Sequence, residues 1–562
     1  MVVEFEKSWF EASVRKGRIL RFSGFRLVIL VFLTLCSGIF FGLAGGCGAR
    51  AYKDLADDEV YKIIDKKWQS SFGEKANYTI SDVEASPNDV KLEETVPSSG
   101  VLNLAQAVAI ATAHNREYQT QKEQLYLTVL SLTGERHKFA RRWFGTIDAD
   151  YARDSDDESA SYEAKTGFNQ LLASGAAVSA NIALDWASFL TGAPDTSLGS
   201  VLSATVTQPL LRGRGRKIAQ EQLTQAERDV LYEMRSFGRF RKEFVVSIVT
   251  AYYGVLQKRN EVTNAQSNYD RVTESKKRLK AEARVGRRPR FELDQAQQDV
   301  LRATDNIVRA QQQYEQSLDE FKIELALETD SKVELDQNEL NALEKIGVTE
   351  PQYTLDVAIE TGRAERLDLA TTADKIDDAS RKVMVAADNL GAELNLSAGA
   401  EVGSQGKTNF EKLEFNKGSY SLGLQADLPF DRKDERNAYR QTLIKLQQNR
   451  RDYQEKVDRV KLDIRQAYRQ LIETQQRYRI QKNSLELARK RVESTAMFLK
   501  TGRAQTRDLL EAQDALLEAE NELTDALVGH TIAKLSFFRD IGVLQVRPDG
   551  MWHQGTEDKS GH

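Results

Sequence analysis

YQEKVDRVKLDIRQAYRQLIETQQRYRIQKNSLELARKRVESTAMFLKTG, residues 453–502, decides the fold. Stepping four and then three positions from Tyr453 gives Val457, Val460, Ile464, Ala467, Leu471, Thr474, Tyr478, Gln481, Leu485, Ala488, Val492, Thr495 and Leu499. Eleven of these fourteen are apolar, and the positions between them are mostly Arg, Lys, Glu, Gln and Asp. A seven-residue repeat held this long is a coiled-coil seam. A helix from Asp431 to Lys500 would be about 105 Å long, beyond the reach of a globular core. The same pattern predicts a first long helix over Arg214–Arg284.

Working outward, the chain repeats itself. Ala251-Tyr252 recurs as Ala467-Tyr468, Val285-Gly286 as Thr501-Gly502, and Leu293-x-x-Ala296-Gln297 as Leu509-x-x-Ala512-Gln513, each 216 positions apart. Leu104-x-x-Ala107 matches Leu355-x-x-Ala358 at 251, so the first copy holds about 35 extra residues. A repeat this long is a duplicated half-domain rather than a solenoid module. After each glycine turn a return helix is expected, to about Leu325 and Ile541. Shorter helices, Leu104 to about Phe139 and Leu355 to about Ala387, open the halves.

Clean two-residue alternation predicts strands between the helices. Ala392, Leu394, Leu396, Ala398, Ala400 and Val402 alternate with polar residues, as do Tyr420, Leu422, Leu424, Ala426 and Leu428. In the first half Ile147-x-Ala149-x-Tyr151, Val178 to Trp186, and Leu202-x-Ala204-x-Val206 behave likewise. Strands with one greasy and one polar face suit a transmembrane barrel around water. Tyr162-x-Ala164-x-Thr166-x-Phe168 is more than one hairpin needs. It is either an outward extension of the first hairpin or extra barrel strands, and we favour the extension.

The organisation read this way is a signal segment over 1–47, a polar arm over 48–100 with a short helix near Val60–Trp68, and a helix–strand–strand–helix repeat over 101–330. A linker at 331–352, a second repeat over 353–546 and a polar tail at 547–562 complete it. Basic residues Arg15 to Arg26 precede an apolar stretch Leu27–Leu43 and then Ala44-Gly45-Gly46-Cys47. Small residues before a cysteine resemble a bacterial lipobox, which makes Cys47 the expected lipidation site; an uncleaved membrane anchor is the alternative. Only eight prolines occur, none between Pro209 and Pro289 or between Pro429 and Pro548, which favours long helices over several compact domains. The formal charge of −5 argues against a nucleic-acid partner. Five scattered histidines, and no phosphate loop, zinc spacing or nucleophile elbow, point away from an enzyme; no cofactor and no metal is expected.

Thr207-Gln208-Pro209-Leu210-Leu211-Arg212-Gly213 opening a long helix resembles the TolC-like outer-membrane efflux protein family. So do the Asn103-Leu104-x-x-Ala107 start, the degenerate Asp427-Leu428-Pro429-Phe430 and the order of elements. The resemblance implies a mainly α fold with a β-barrel: a long antiparallel helical barrel, continuous with a transmembrane barrel and built from a duplication. Three chains would give four strands each to a twelve-strand barrel, as a homotrimer in outer-membrane lipid. Open strand edges in lipid call for other chains independently of the resemblance. It further implies a duct that passively conducts substrates delivered by an inner-membrane pump and a periplasmic adaptor. A non-channel periplasmic coiled-coil scaffold is the alternative.

Candidate residues follow. Pro209 and Pro429 lack an N–H and suit a chain leaving a ladder for a helix's first turn. Arg212, Arg214, Arg216 and Lys217 beside Pro209 could meet lipid phosphates or simply face water. The resemblance places aperture carboxylates at Asp508 and Glu511, with Glu292 and nearby Asp294 in the first half. In three copies they would ring the mouth; the bland alternative is a set of solvated helix charges. The family's restraining arginine falls where this chain has Ala504, with Arg503 one position off. The turns Val285, Gly286, Arg287 and Thr501, Gly502, Arg503 are the implied adaptor-docking tips, though turn formation alone also explains the glycines. Arg287, Arg288 and Arg290 exceed what a turn needs and suggest an acidic partner surface.

Overall fold

The computed structural model describes residues 48–69, 72–73, 75, 78–80, 100–153, 158–189, 196–348, 351, 353–405, 409–428, 430–547 and 552–554. The signal segment 1–47, Cys47 and Pro429 lie outside the described residues. Two compact units are present, residues 1–62 and 63–562. In the first, the described part belongs to helix α1 (Ala49–Lys67), tied by the i,i+4 ion pairs Lys53–Asp57 at 3.2 Å and Lys62–Asp58 at 3.1 Å. This helix is longer than the sequence pattern predicts.

In the second unit, a two-residue β1 (Val101–Leu102) leads into α2 (Leu104–His114) and α3 (Arg116–His137). Asn103 caps α2 by accepting from the Gln106 amide at 2.9 Å while the Gln106 side chain accepts from the Asn103 amide at 3.0 Å, a reciprocal capping box. Then come β2 (Arg142–Arg153), β3 (Glu158–Leu171), β4 (Ala177–Phe189) and β5 (Thr196–Pro209). A single turn, α4 (Arg216–Ala219), precedes α5 (Glu221–Arg284) and its return helix α6 (Arg290–Glu324). Residues of the expected linker form β6 (Glu334–Leu335), parallel to β1, and α7 (Asn338–Ile346). The second half repeats the plan with α8 (Leu355–Glu365), α9 (Leu367–Asp388), β7 (Glu393–Gln405), β8 (Asn409–Leu413) and β9 (Ser419–Asp427). It closes with α10 (Lys433–Lys500), α11 (Thr506–Asp540) and a small ladder of β10 (Leu544–Val546) with β11 (Trp552–Gln554).

The heptad reading fits α10 closely. None of its fourteen seam residues is exposed, and Val460, Ile464, Leu471, Thr474, Tyr478, Leu485 and Leu499 are buried. Apolar clusters of Leu485, Leu516 and Ala519, and of Tyr478, Ala526 and Leu527, zip α10 onto α11. The opening helices differ from expectation: each is broken once, at Asn115 (ψ 131°) and at Arg366 (ψ 115°), without a proline and with Gly362 in the turn before the second break. Asn115 restarts its helix by accepting from the Tyr118 amide. Arg366 instead anchors a buried ion cluster, 2.7 Å from Asp368 and 3.1 Å from Asp463, which Lys456 and Arg239 also join. That cluster ties α5, α9 and α10 together.

The strands form one antiparallel sheet in the order β2-β3-β4-β5-β7, with β9 on β7 and short β8 at the far end of β7. The first half therefore crosses the sheet four times, not twice. Our preference for an outward extension is corrected, because β3 and β4 pair along their lengths with neighbours as long as themselves. Their connecting turn lies at the helix end of the sheet. Gly175 there has φ 92°, and a Cβ on it would sit 2.6 Å from the Gly213 carbonyl oxygen. Pro209 closes β5 opposite Asn395 rather than entering a helix, since the next helical residue is Arg216.

Candidate functional site

The ladder registers put one apolar face across the whole sheet. Ile147 lies opposite Ala164, Ala164 opposite Leu184, Ile182 opposite Leu202, Leu202 opposite Val402, and Leu396 opposite Leu424. Many of these side chains are exposed, among them Trp143, Ile147, Tyr151, Leu422 at 77% and Leu424 at 64%. Exposed apolar area on this scale marks a surface made for something other than water. Aromatics edge the face at both ends. Trp143 meets Phe168 near the helices with ring centroids 5.3 Å apart, and Tyr162 meets Trp186 near the far end at 5.2 Å, with Tyr151 and Tyr420 alongside. From Trp143 to Tyr151 is about 27 Å along a strand, close to the apolar band of an outer-membrane barrel, about 25 Å. The opposite face is polar, and Asp148, Glu163 and Asp185 lie side by side across three strands.

At the other end of the helices the two turns share one geometry. Gly286 has φ 74° and Gly502 φ 73°. In each, the next residue's amide reaches back to a carbonyl five residues earlier: Arg287 to Glu282 at 2.9 Å, Arg503 to Phe498 at 2.8 Å. This is the glycine-terminated helix end, where a Cβ would be penalised by backbone conformation. Val285, Gly286, Arg287, Thr501, Gly502 and Arg503 are all exposed.

Arg288 joins the two tips. Its guanidinium donates to the Leu499 carbonyl of α10 at 2.8 Å and pairs with Glu282 at 3.4 Å and Glu292 at 3.5 Å. The buried Thr506 hydroxyl donates to the same Glu292 carboxylate. Glu292 therefore sits in the joint between the hairpins. Asp508 accepts from the Gln505 amide at 2.9 Å and caps α11, Glu511 is exposed and pairs with Arg507 at 3.4 Å, and Asp294 is exposed. Sequence reasoning grouped Arg288 with an outward basic patch and missed this role. The same two-past-glycine offset that leads to Ala504 would have found it, applied to Gly286.

Along the shafts, α5 and α11 meet through a polar ladder: Gln257 with Asp525 at 3.2 Å, Asn260 with Thr524 at 2.9 Å, Asn264 with Asn521 at 2.8 Å, and Gln513 with Ser275 at 3.2 Å. Among the described residues no group of His, Cys, Asp and Glu is disposed to hold a metal, and no helix is long and apolar enough to cross a membrane.

Two long hairpins hung from one amphipathic sheet are the arrangement in which this chain resembles the outer-membrane efflux proteins. The family model described as outer membrane efflux protein matches residues 358–536, and no curated protein matches the chain. Solved structures carry the fold over most of the chain. The Campylobacter jejuni CmeC outer membrane channel is 13% identical with TM-score 0.58, covering 87% of this chain and 93% of that one. The Neisseria gonorrhoeae MtrE outer membrane channel, in its open state, is 12% identical with TM-score 0.57, at 84% and 94% coverage. The outer membrane protein VceC of Vibrio cholerae is 12% identical with TM-score 0.56, at 78% and 96%. The TolC-like resemblance read from the sequence is thereby shown, and the fold is mainly helical.

Proposed function

We propose that this chain is the outer-membrane duct of a tripartite efflux or type I secretion assembly, and no enzyme. Three copies conduct substrates passively outward. The observation that carries this is the sheet: one apolar face about as tall as a bilayer core, edged by aromatics, joined directly to helices about 100 Å long. Such a face has no water-soluble use, and its two open edges demand closure in lipid. In this reading the two repeats (101–330 and 353–546) form the duct, the arm (48–100) and tail (547–562) are appendages, and 331–352 links the halves. Cys47, outside the described residues, would carry the lipid anchor.

The helical shafts stand in the periplasm. An adaptor coupled to an inner-membrane pump docks on Val285, Gly286, Arg287, Thr501, Gly502 and Arg503. The acidic mouth is built from Asp508, Glu511, Asp294 and Glu292. Arg288 holds the mouth narrow by bracing the two hairpins, and the polar ladder between α5 and α11 lets them part, since its hydrogen bonds can be exchanged for bonds to water. Purified trimers in planar bilayers should conduct, and Arg288→Ala should raise the open fraction. Absence of conductance at several pH values would favour a coiled-coil scaffold instead.

A further inference from the structure

The sheet offers two unpaired edges, β2 and β9, and every residue of β9 is exposed, as are all of β2 except Phe144. Six long strands, β2, β3, β4, β5, β7 and β9, alternate in direction, so β9 of one copy meets β2 of another antiparallel. We propose that β9 pairs with β2 of the next copy and that three copies close a single barrel of eighteen strands, not twelve. This rests on the duct reading for the number of copies; the seam itself rests on the two edges.

Charge sets the register. Arg142 starts β2 and Asp427 ends β9, both at the helix end of the sheet and on its polar face, and neither has an ion-pair partner among the described residues. Pairing Arg142 with Asp427 aligns Ile147 with Leu422, Ala149 with Tyr420, and Asp148 with Ser421, keeping greasy residues beside greasy and polar beside polar. A one-residue slip would put each side chain beside a neighbour of the opposite character.

Width agrees. Four helices per chain, α3, α5, α9 and α10, meet the sheet. Packed helices stand about 8–10 Å apart, so four need roughly 32–40 Å of arc. A strand spaced about 4.8 Å from its neighbour and tilted about 40° takes about 6 Å of circumference. Six strands then span about 38 Å and four only about 25 Å. Six strands thus fit the width of four helices without narrowing at the junction. A twelve-strand alternative would put the seam at β4 and would break the thirteen-residue β3–β4 ladder.

The test is disulfide crosslinking of the full chain in outer membranes, oxidised with copper–phenanthroline and read on non-reducing gels. Asp148→Cys combined with Ser421→Cys should give covalent dimers and trimers, while either single substitution should not. Ala183→Cys with Ser421→Cys should leave monomers. Linking of the Ala183 pair instead, or of neither pair in a protein that still conducts, would overturn the seam. End-on particle images of the unsubstituted protein give a second reading: barrel diameter grows about linearly with strand number, so the ring should be about 1.5-fold wider than a twelve-strand one. A ring of twelve-strand width overturns the proposal even if no variant folds. Loss of conductance with the Asp148–Ser421 link intact would strike the duct reading and leave the seam standing.

Discussion

Two interfaces of the helical region invite comparison. Within the second hairpin, α10 meets α11 through Tyr478, Leu485, Leu516, Ala519 and Leu527, a seam dry at its centre and flanked by the ion pairs of Arg477 with Glu522 and Asp525. Between hairpins, the described side-chain contacts of α5 with α11 include a row of amides, hydroxyls and carboxylates, together with an apolar cluster (Val272, Val300, Leu510) near the tips. Apolar burial cannot be replaced by water, whereas a hydrogen bond between side chains can be traded for one to solvent at small net cost. The difference separates what is permanent from what can move: each hairpin is a unit, and the joint between hairpins is a place to part.

The largest effect should come from the dry seam. Leu516→Ala removes a nearly buried side chain and should cost about 2–5 kcal/mol in denaturant unfolding; a loss below about 1 kcal/mol would show that the seam is not the hairpin's main support. The same hairpin should be acid-sensitive. His530 is buried against Thr474, 3.4 Å away, and burial together with Lys534 pushes its pKa down to about 4. The unfolded chain, with an ordinary histidine, binds the proton first, so stability should hold above pH 6.5 and fall as pH drops from 6.5 to 4, by about 3 kcal/mol. His530→Leu should flatten that slope in melts across pH. Position 314, the matching site in the first half, is Tyr314, so the first hairpin should lack the effect.

Smaller changes are expected at the joint. Arg288→Ala should cost about 1–2 kcal/mol by orphaning the Leu499 carbonyl and leaving Glu292 with the Thr506 hydroxyl alone, yet change conductance more than stability; the reverse ranking would make Arg288 a structural brace only. Smallest of all should be the double change Asn264→Leu with Asn521→Leu, within about 1 kcal/mol of neutral because both partners go together. It should, however, weld the joint and lower conductance.

Much of this was legible in the residues. The seam from Tyr453 to Leu499 could be read because a long repeat averages out local exceptions, and the faces of β5, β7 and β9 because alternation is unambiguous at period two. The breaks at Asn115 and Arg366 were not: each joins a local contact, the Tyr118 amide on Asn115 and Asp368 beside Arg366, to a distant partner, the Glu324 carbonyl and Asp463, which the local sequence does not reveal. The strand count was hidden too. Tyr162 to Phe168 showed its alternation openly, but whether it returned to the helix end depended on Gly175 lodging against Gly213, a contact across the fold. Arg288 looked like surface charge because its acceptor is a backbone carbonyl of the other hairpin.

The return helices α6 and α11 both contain 35 residues. Equal rods keep both turns level, so the two tips form an even rim. Adding one heptad to a single hairpin would leave its turn protruding by about 10 Å, beyond the reach of any arginine bridge. Between the two turns and the sheet, length changes are therefore tolerable only in matched pairs, whereas the sheet end has room for the extra strands that the first half carries alone.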